Sequence, residues 1–263
     1  MSQEHPPRPR LSPAVVVQEA IGLLPRVWKG AALALGLWAA IGAAAAIWSG
    51  GVTGIILLVL GAVAGLVAIG ASLRIAVADH LTGARALGLG PGGLQVGRAE
   101  LQLFGAAALC LLFWAIVASL VGLTVLALFG GSELNVEAIQ ARDWGSVGPA
   151  WRVAVVAVVG VGAIIIPVML AARLAVAGPA TVAQGRMVSL PAMAISRGNV
   201  VVLVVGLVLV SIPGLVLLGI LASIGGTVAG IGSAIAVVWV LVPMWMGFLG
   251  AFYRGVRVEA DAR

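Results

Sequence analysis

VVVLVVGLVLVSIPGLVLLGILAS, residues 200–223, runs for 24 positions without a charged side chain. A helix needs about 20 apolar residues to cross the ~30 Å hydrocarbon core, whereas a membrane strand needs about 10 and alternates in polarity. This run is too long and too uniform to be a strand, so it reads as a spanning helix. The same test selects five more runs, at 31–48, 52–73, 103–129, 153–172 and 228–252. The third is longer than a bilayer requires, which predicts tilt or extension beyond the headgroups.

Composition agrees. Of the 263 residues 62% are hydrophobic and 9% charged, with a mean hydropathy of +1.19, whereas soluble domains are about one quarter charged. So few charges cannot cover this apolar surface with water-facing groups. The fold class expected is therefore an all-α membrane protein of six transmembrane helices. Residues 1–11 read as a disordered tail and 12–263 as one transmembrane domain. The first run has basic residues before it, as a signal peptide does, but its length and the further spans predict an uncleaved first helix.

The net charge is +6, but the basic residues stand singly between apolar runs and build no stripe for nucleic acid. They read as topology signals and as contacts to anionic lipid headgroups, above all Arg26, Lys29, Arg74, Arg98, Arg173, Arg197 and Arg254. Thirteen of the fifteen lie before the first run, in the second and fourth connections or after the last run; only Arg142 and Arg152 lie on the other side. The positive-inside rule then places both termini in the cytoplasm. Arg supplies fourteen of the fifteen in an Ala-, Val- and Gly-rich chain, a composition that points to a GC-rich bacterial genome and an inner membrane.

The connections alternate in length, with short outer turns near 49–51 and 224–227 and inner linkers of about 25 residues. Three helical hairpins joined by amphipathic cytoplasmic linkers are expected. A shift of 99 residues places Arg74-Ile-Ala-Val-Ala78 on Arg173-Leu-Ala-Val-Ala177 and Arg98 on Arg197, with seven identities in 27 positions. Both copies are cytoplasmic, so the repeat is parallel, unlike the inverted repeats of many carriers. Residues 13–29 stand where a third linker would. Ser12-Pro13 predicts a helix start there, and Val16, Val17, Ala20, Ile21, Leu24, Val27 and Trp28 predict an apolar face lying in the interface. Met187, Leu190, Met193 and Ile195 repeat the theme in the fourth connection.

Few residues offer chemistry. Cys110 is the only cysteine, so there is no internal disulfide or thiolate cluster, and it reads as packing. Asp79-His80 is the one adjacent acid and base pair and reads as a polar cap at headgroup level. His5, the only other histidine, sits in the tail. Gly88-Leu-Gly90-Pro91-Gly92-Gly93 lacks the spacing and the Lys of a phosphate loop and reads as a flexible turn. No catalytic residue, metal site or cofactor is expected. Gly61 and Gly65, and Gly226 and Gly230, have the small-xxx-small spacing that lets helices approach closely. Pro167, Pro213 and Pro243 each remove a helix hydrogen bond and mark candidate hinges. No ionisable side chain falls near a midplane, which disfavours ion-coupled transport; Ser119, Thr124, Ser211 and Ser233 are the groups available to line a neutral path. On the outer side, residues 132–142 read as a short capped helix, and Trp144 and Trp151 return the chain to the interface.

Arg173-Leu-Ala-Val-Ala-Gly-Pro-Ala-Thr-Val-Ala-Gln-Gly185, followed by Ala194-Ile-Ser-Arg-Gly-Asn199, resembles a group of bacterial six-helix membrane proteins related to the membrane domain fused to some glycerophosphoryl diester phosphodiesterases. Gln184 stands where that group usually has an acid, and the Ser spacing differs. The resemblance implies an inner-membrane protein and no phosphodiesterase chemistry, which belongs to a separate soluble domain. The expectation is a non-enzymatic polytopic protein that organises membrane or partner proteins through basic linkers. Its expected partners are anionic lipids and a membrane protein or a second copy. The alternative is a facilitator or lipid carrier with a neutral pathway among helices 4 to 6.

Overall fold

The computed structural model describes residues 11–48, 50–132, 134–143 and 145–261. Residues 1–10 of the expected tail, with His5, and Ser49 and Trp144 lie outside the described residues, while Leu11, the last residue of that tail, packs against the core. The described chain is helical, in the order α1 (Pro13–Ile47), α2 (Gly51–Ala78), α3 (Leu81–Ala86), a 3-10 turn (Pro91–Gly93), α4 (Arg98–Gly131), α5 (Val136–Ala141), α6 (Ala150–Ala175), α7 (Ala177–Gln184), α8 (Ala192–Ile195), α9 (Val200–Ile224), α10 (Gly226–Ala236), a π-helical turn (Val237–Leu241) and α11 (Val242–Asp261). Six helical stretches are long and apolar enough to cross a membrane.

The residues expected to form a separate interfacial helix instead begin the first span. Ser12 is the N-cap, Pro13 opens the helix, and α1 continues unbroken past Pro25 for 35 residues, about 52 Å at 1.5 Å per residue. Its apolar stripe is Val16, Ala20, Leu23 and Val27, all at most 1% exposed. Val16 and Ala20 pack on the last span, where a Cβ on Gly247 would lie 3.2 Å from the Ala20 carbonyl oxygen, and Val27 packs in a second cluster with Val67, Ala71 and Ile75 of α2. Of the face expected from sequence, Val16, Ala20 and Val27 are buried within the bundle, whereas Ile21 and Trp28 are 50% and 39% exposed, and Leu23 takes a buried place the spacing did not give it.

The sixth span is the axis of the bundle. Of its most apolar window 72% is buried, against 0% for the fourth span and 6% for the third. Phe248 and Phe252 are fully buried and stack with centroids 6.3 Å apart. Glycines let neighbours reach them: Gly206 of α9 faces the Phe248 ring, and Gly250 lies against Ala76 of α2, where a Cβ would fall 2.8 Å from the Ala76 carbonyl carbon. Lipid tails are as apolar as these side chains, so close packing of this kind holds spans together where hydrophobic burial does not.

Three of the four small-residue positions lie at such contacts. A Cβ on Gly61 would meet Ile41, one on Gly65 would come within 2.9 Å of the Trp38 ring, and one on Gly230 would come within 3.0 Å of Ala46. Gly226 touches nothing there; with φ +67° it begins α10 after Gly225 at φ +72°, so its role is the turn.

Of the three prolines, Pro167 and Pro213 sit inside continuous helices α6 and α9. Pro243 has a visible consequence. Its missing N–H leaves the Trp239 carbonyl, four residues earlier, without a helical donor. A π-helical turn precedes it, and the Trp28 indole donates to the Trp239 carbonyl at 2.9 Å. Trp28→Phe is therefore expected to cost about 1 kcal/mol. In a Pro243→Ala background the same change should cost almost nothing, because the restored N–H reclaims the carbonyl. Unfolding midpoints of the four proteins in mixed micelles test this; equal losses in both backgrounds would contradict it.

Candidate functional site: the linker ends of the spans

The charged groups gather where α2, α6 and α11 end and the linkers begin. Arg74, expected at the headgroups, is turned inward instead. Its side chain is 3% exposed and that of Glu100 6%, and Nη2 donates to Oε1 at 2.5 Å. Nε donates to the Leu87 carbonyl at 3.0 Å, so one guanidinium ties α2 to both the second linker and α4. Gly70 makes the space, since a Cβ there would lie 3.1 Å from Nη1. Nη1 is buried without a hydrogen-bond partner among the described residues. Glu100 stands in the first turn of α4, where the helix dipole favours a carboxylate.

The repeat partner does the same work with neutral acceptors. Arg173 Nη2 donates to the Met193 carbonyl at 2.9 Å and Nε to Ser196 Oγ at 3.3 Å. The 99-residue shift that aligns the two arginines puts Asn199 at the place of Glu100. Thr181 tightens the same linker, accepting from the Val188 N–H and donating to its carbonyl, both at 3.1 Å.

A third tie joins the two ends of the described chain. Arg254 at the end of the last span pairs with Glu19 of α1 and lies 3.9 Å from Asp79. Asp79 caps α2 in the left-handed region at φ 62° and accepts Arg26 Nη1 at 2.7 Å, while its backbone carbonyl takes the same donor at 2.6 Å. Each of the three even-numbered spans thus ends in an arginine that holds an adjoining segment at the linker end of the bundle. The Asp79-His80 pair is divided: Asp79 joins this ion network, and exposed His80 is the N-cap of α3. Among the described residues no three His, Cys, Asp or Glu side chains group as a metal site.

The remaining basic residues stay outward. Lys29, Arg85, Arg98, Arg186, Arg197 and Arg257 are exposed. The glycine-rich stretch between them is not a loose turn. Its 3-10 turn presses on α1, with Gly93 at φ +84° so close that a Cβ would lie 2.8 Å from the Ala31 Cα.

Two apolar clefts open on the spans. One, about 530 Å³, lies between α2, α4, the α6–α7 junction and α11; the other, about 580 Å³, lies between α1, α2 and residues 94–96. Cys110 lies on the wall of the first. Two of the four hydroxyls expected to line a neutral path, Ser211 and Thr124, are hydrogen-bonded within the helices. Ser211 donates to the Leu207 carbonyl at 2.6 Å and accepts the Trp245 indole at 2.8 Å, and Thr124 donates to the Leu120 carbonyl at 2.9 Å. On the far side, Asn135 caps α5 through the Ala138 N–H, and the Arg152 guanidinium lies 5.4 Å from the Trp151 ring centroid.

Sequence reading missed Glu19, Glu100 and the indole donors, because each finds its partner across the bundle. Only Glu100 had a trace, as the position aligned with Asn199. Comparison with protein-family models, with curated proteins and with solved structures finds no match to this chain.

Proposed function

We propose that this polytopic membrane protein is non-enzymatic, lies in a bacterial inner membrane with both ends cytoplasmic, and organises anionic lipid or a partner membrane protein through its basic linkers. One observation carries the reading: the polar groups at this end divide into two sets. Arg74, Arg173 and Arg254 are used inward, pinning segments to the bundle. Arg85, Arg98, Arg186 and Arg197 remain exposed on those pinned segments. A fixed scaffold that displays cations suits a surface of anionic headgroups, each basic residue near it being worth about 1 kcal/mol. The resemblance of residues 173–199 to a membrane domain without catalytic residues agrees with this.

The test is direct extraction into polymer-bounded discs with the surrounding lipid. Wild-type discs are expected to be enriched in anionic lipid over the bulk membrane. The variant with Arg85, Arg98, Arg186 and Arg197 replaced by Gln should return to bulk composition. Steady flux of a defined solute through wild-type protein in liposomes would overturn the reading.

A further inference from the structure

We infer that three indoles latch the fourth, fifth and sixth spans at their prolines, so that these prolines are locked points in a bundle with one arrangement and not hinges. The inference concerns the spans themselves and stands apart from the reading of the linkers.

The weak points are set by the sequence. Pro167, Pro213 and Pro243 are the prolines inside the six apolar runs, one in each of the last three. A proline in a helix interior removes the bond to the carbonyl four residues back and presses its ring against that carbonyl. The carbonyls affected belong to Ala163, Leu209 and Trp239. Hydrocarbon holds no water to replace the missing donor. Each site is therefore the softest turn of its span and the place where a bend would start.

Each of these turns is held from a neighbouring span. Three indoles among the described residues donate hydrogen bonds, and all three land within four residues of one of these prolines. Trp114 of α4 donates to the Pro167 carbonyl in α6 at 2.9 Å. Trp245 of α11 donates at 2.8 Å to Ser211 Oγ, two residues before Pro213 in α9. That hydroxyl is itself bonded at 2.6 Å to the Leu207 carbonyl, one turn earlier. Trp28 of α1 donates to the Trp239 carbonyl, four residues before Pro243, at 2.9 Å. An indole suits the task because it carries a single donor on a large, rigid and mainly apolar body. Its N–H would itself be stranded in lipid without such an acceptor.

The latches form two groups. α1 holds α11 and α11 holds α9, so the fifth and sixth spans are fixed in series to the first. α4 holds α6 separately. That separate latch has the least support from packing, since none of the most apolar window of the fourth span is buried. A Cβ on Gly160 or Gly162 of α6 would meet nothing within 4 Å, whereas one on Gly230 of the sixth span would come within 3.0 Å of Ala46. The Trp114 bond is thus the one whose loss should show most clearly.

The experiment is amide hydrogen exchange of the full chain in lipid nanodiscs, read by mass spectrometry on peptides that cover the prolines. In wild type the turn around Pro167 is expected to exchange no faster than the middle of α4, a span without proline that faces lipid equally. Trp114→Phe keeps the ring and loses the donor. It should speed exchange around Pro167 about fivefold, the equivalent of one hydrogen bond of ~1 kcal/mol, and leave the turn around Pro213 unchanged. Trp245→Phe should do the reverse. Adding Pro167→Ala to Trp114→Phe should return exchange to the wild-type rate, because the helix regains its own bond. Faster exchange around Pro167 than in α4 in the wild-type protein would overturn the inference without any variant, since that proline would then be a free hinge. Trp114→Phe with unchanged exchange, or with faster exchange all along α4 and α6 that Pro167→Ala does not reverse, would also overturn it, leaving the indole as ordinary packing.

Discussion

Glu100→Ala is expected to be the most damaging single charge removal in the described chain, lowering stability by about 3–5 kcal/mol. The carboxylate is almost fully covered and is the ion-pair partner of an equally covered guanidinium. Removing it leaves Arg74 charged, buried and held to the Leu87 carbonyl alone. A surface pair would be worth under about 1 kcal/mol and would fade with salt; this one is shielded, so the loss should persist at high salt. Arg74→Met combined with Glu100→Leu should recover most of the loss, because no charge is then stranded. Unfolding in mixed micelles at low and high salt, read by circular dichroism, checks both points. A single variant as stable as wild type would show that the pair does not bind α2 to α4. By contrast, Arg26→Ala removes an ion pair whose side chains are about half exposed, and it should change stability little.

Gly250→Leu is the second large effect. Gly250 is buried on α11 against Ala76 of α2, and a Cβ there would already overlap the Ala76 side chain and sit 3.0 Å from its carbonyl oxygen. Both neighbours are helix backbone or methyl, so neither can swing away as a long side chain would. Overpacking typically costs about 1–3 kcal/mol. Here the helix axes must separate, and packing is the main force between spans, so the upper end of that range or more is expected. The Gly122→Leu variant is the control, since nothing lies within 4 Å of a Cβ on Gly122. Thermal aggregation midpoints in detergent should fall for Gly250→Leu and stay near wild type for Gly122→Leu. Equal behaviour of the two would remove α11 from its place at the centre of the bundle.

The two predictions concern different kinds of knowledge. Gly61 and Gly65 could be picked out as packing positions because their spacing alone puts both on one helix face, and α1 does cover that face. Gly250 has no such mark: Gly247 and Gly250 are among 37 glycines, and only the approach of Ala76 singles one out. Likewise Arg74 and Arg173 were visible as repeat partners, yet both were expected at headgroups, and both turn back on the linkers.

Six spans, their approximate limits, the absence of strands among the described residues and the concentration of basic residues at one set of helix ends were all legible in the sequence. They follow from one-dimensional quantities, namely the length of apolar runs measured against bilayer thickness and the placement of charge between them. Tertiary structure alone decided that residues 13–29 continue the first span and pack on the last. It also decided that Arg74 is buried against Glu100, that Trp28 satisfies the carbonyl freed by Pro243, and that four helices leave an apolar cleft beside Cys110. Nearly uniform apolar helices carry almost no periodic signal for which face meets which neighbour, so those pairings emerge only when the backbones have closed on one another.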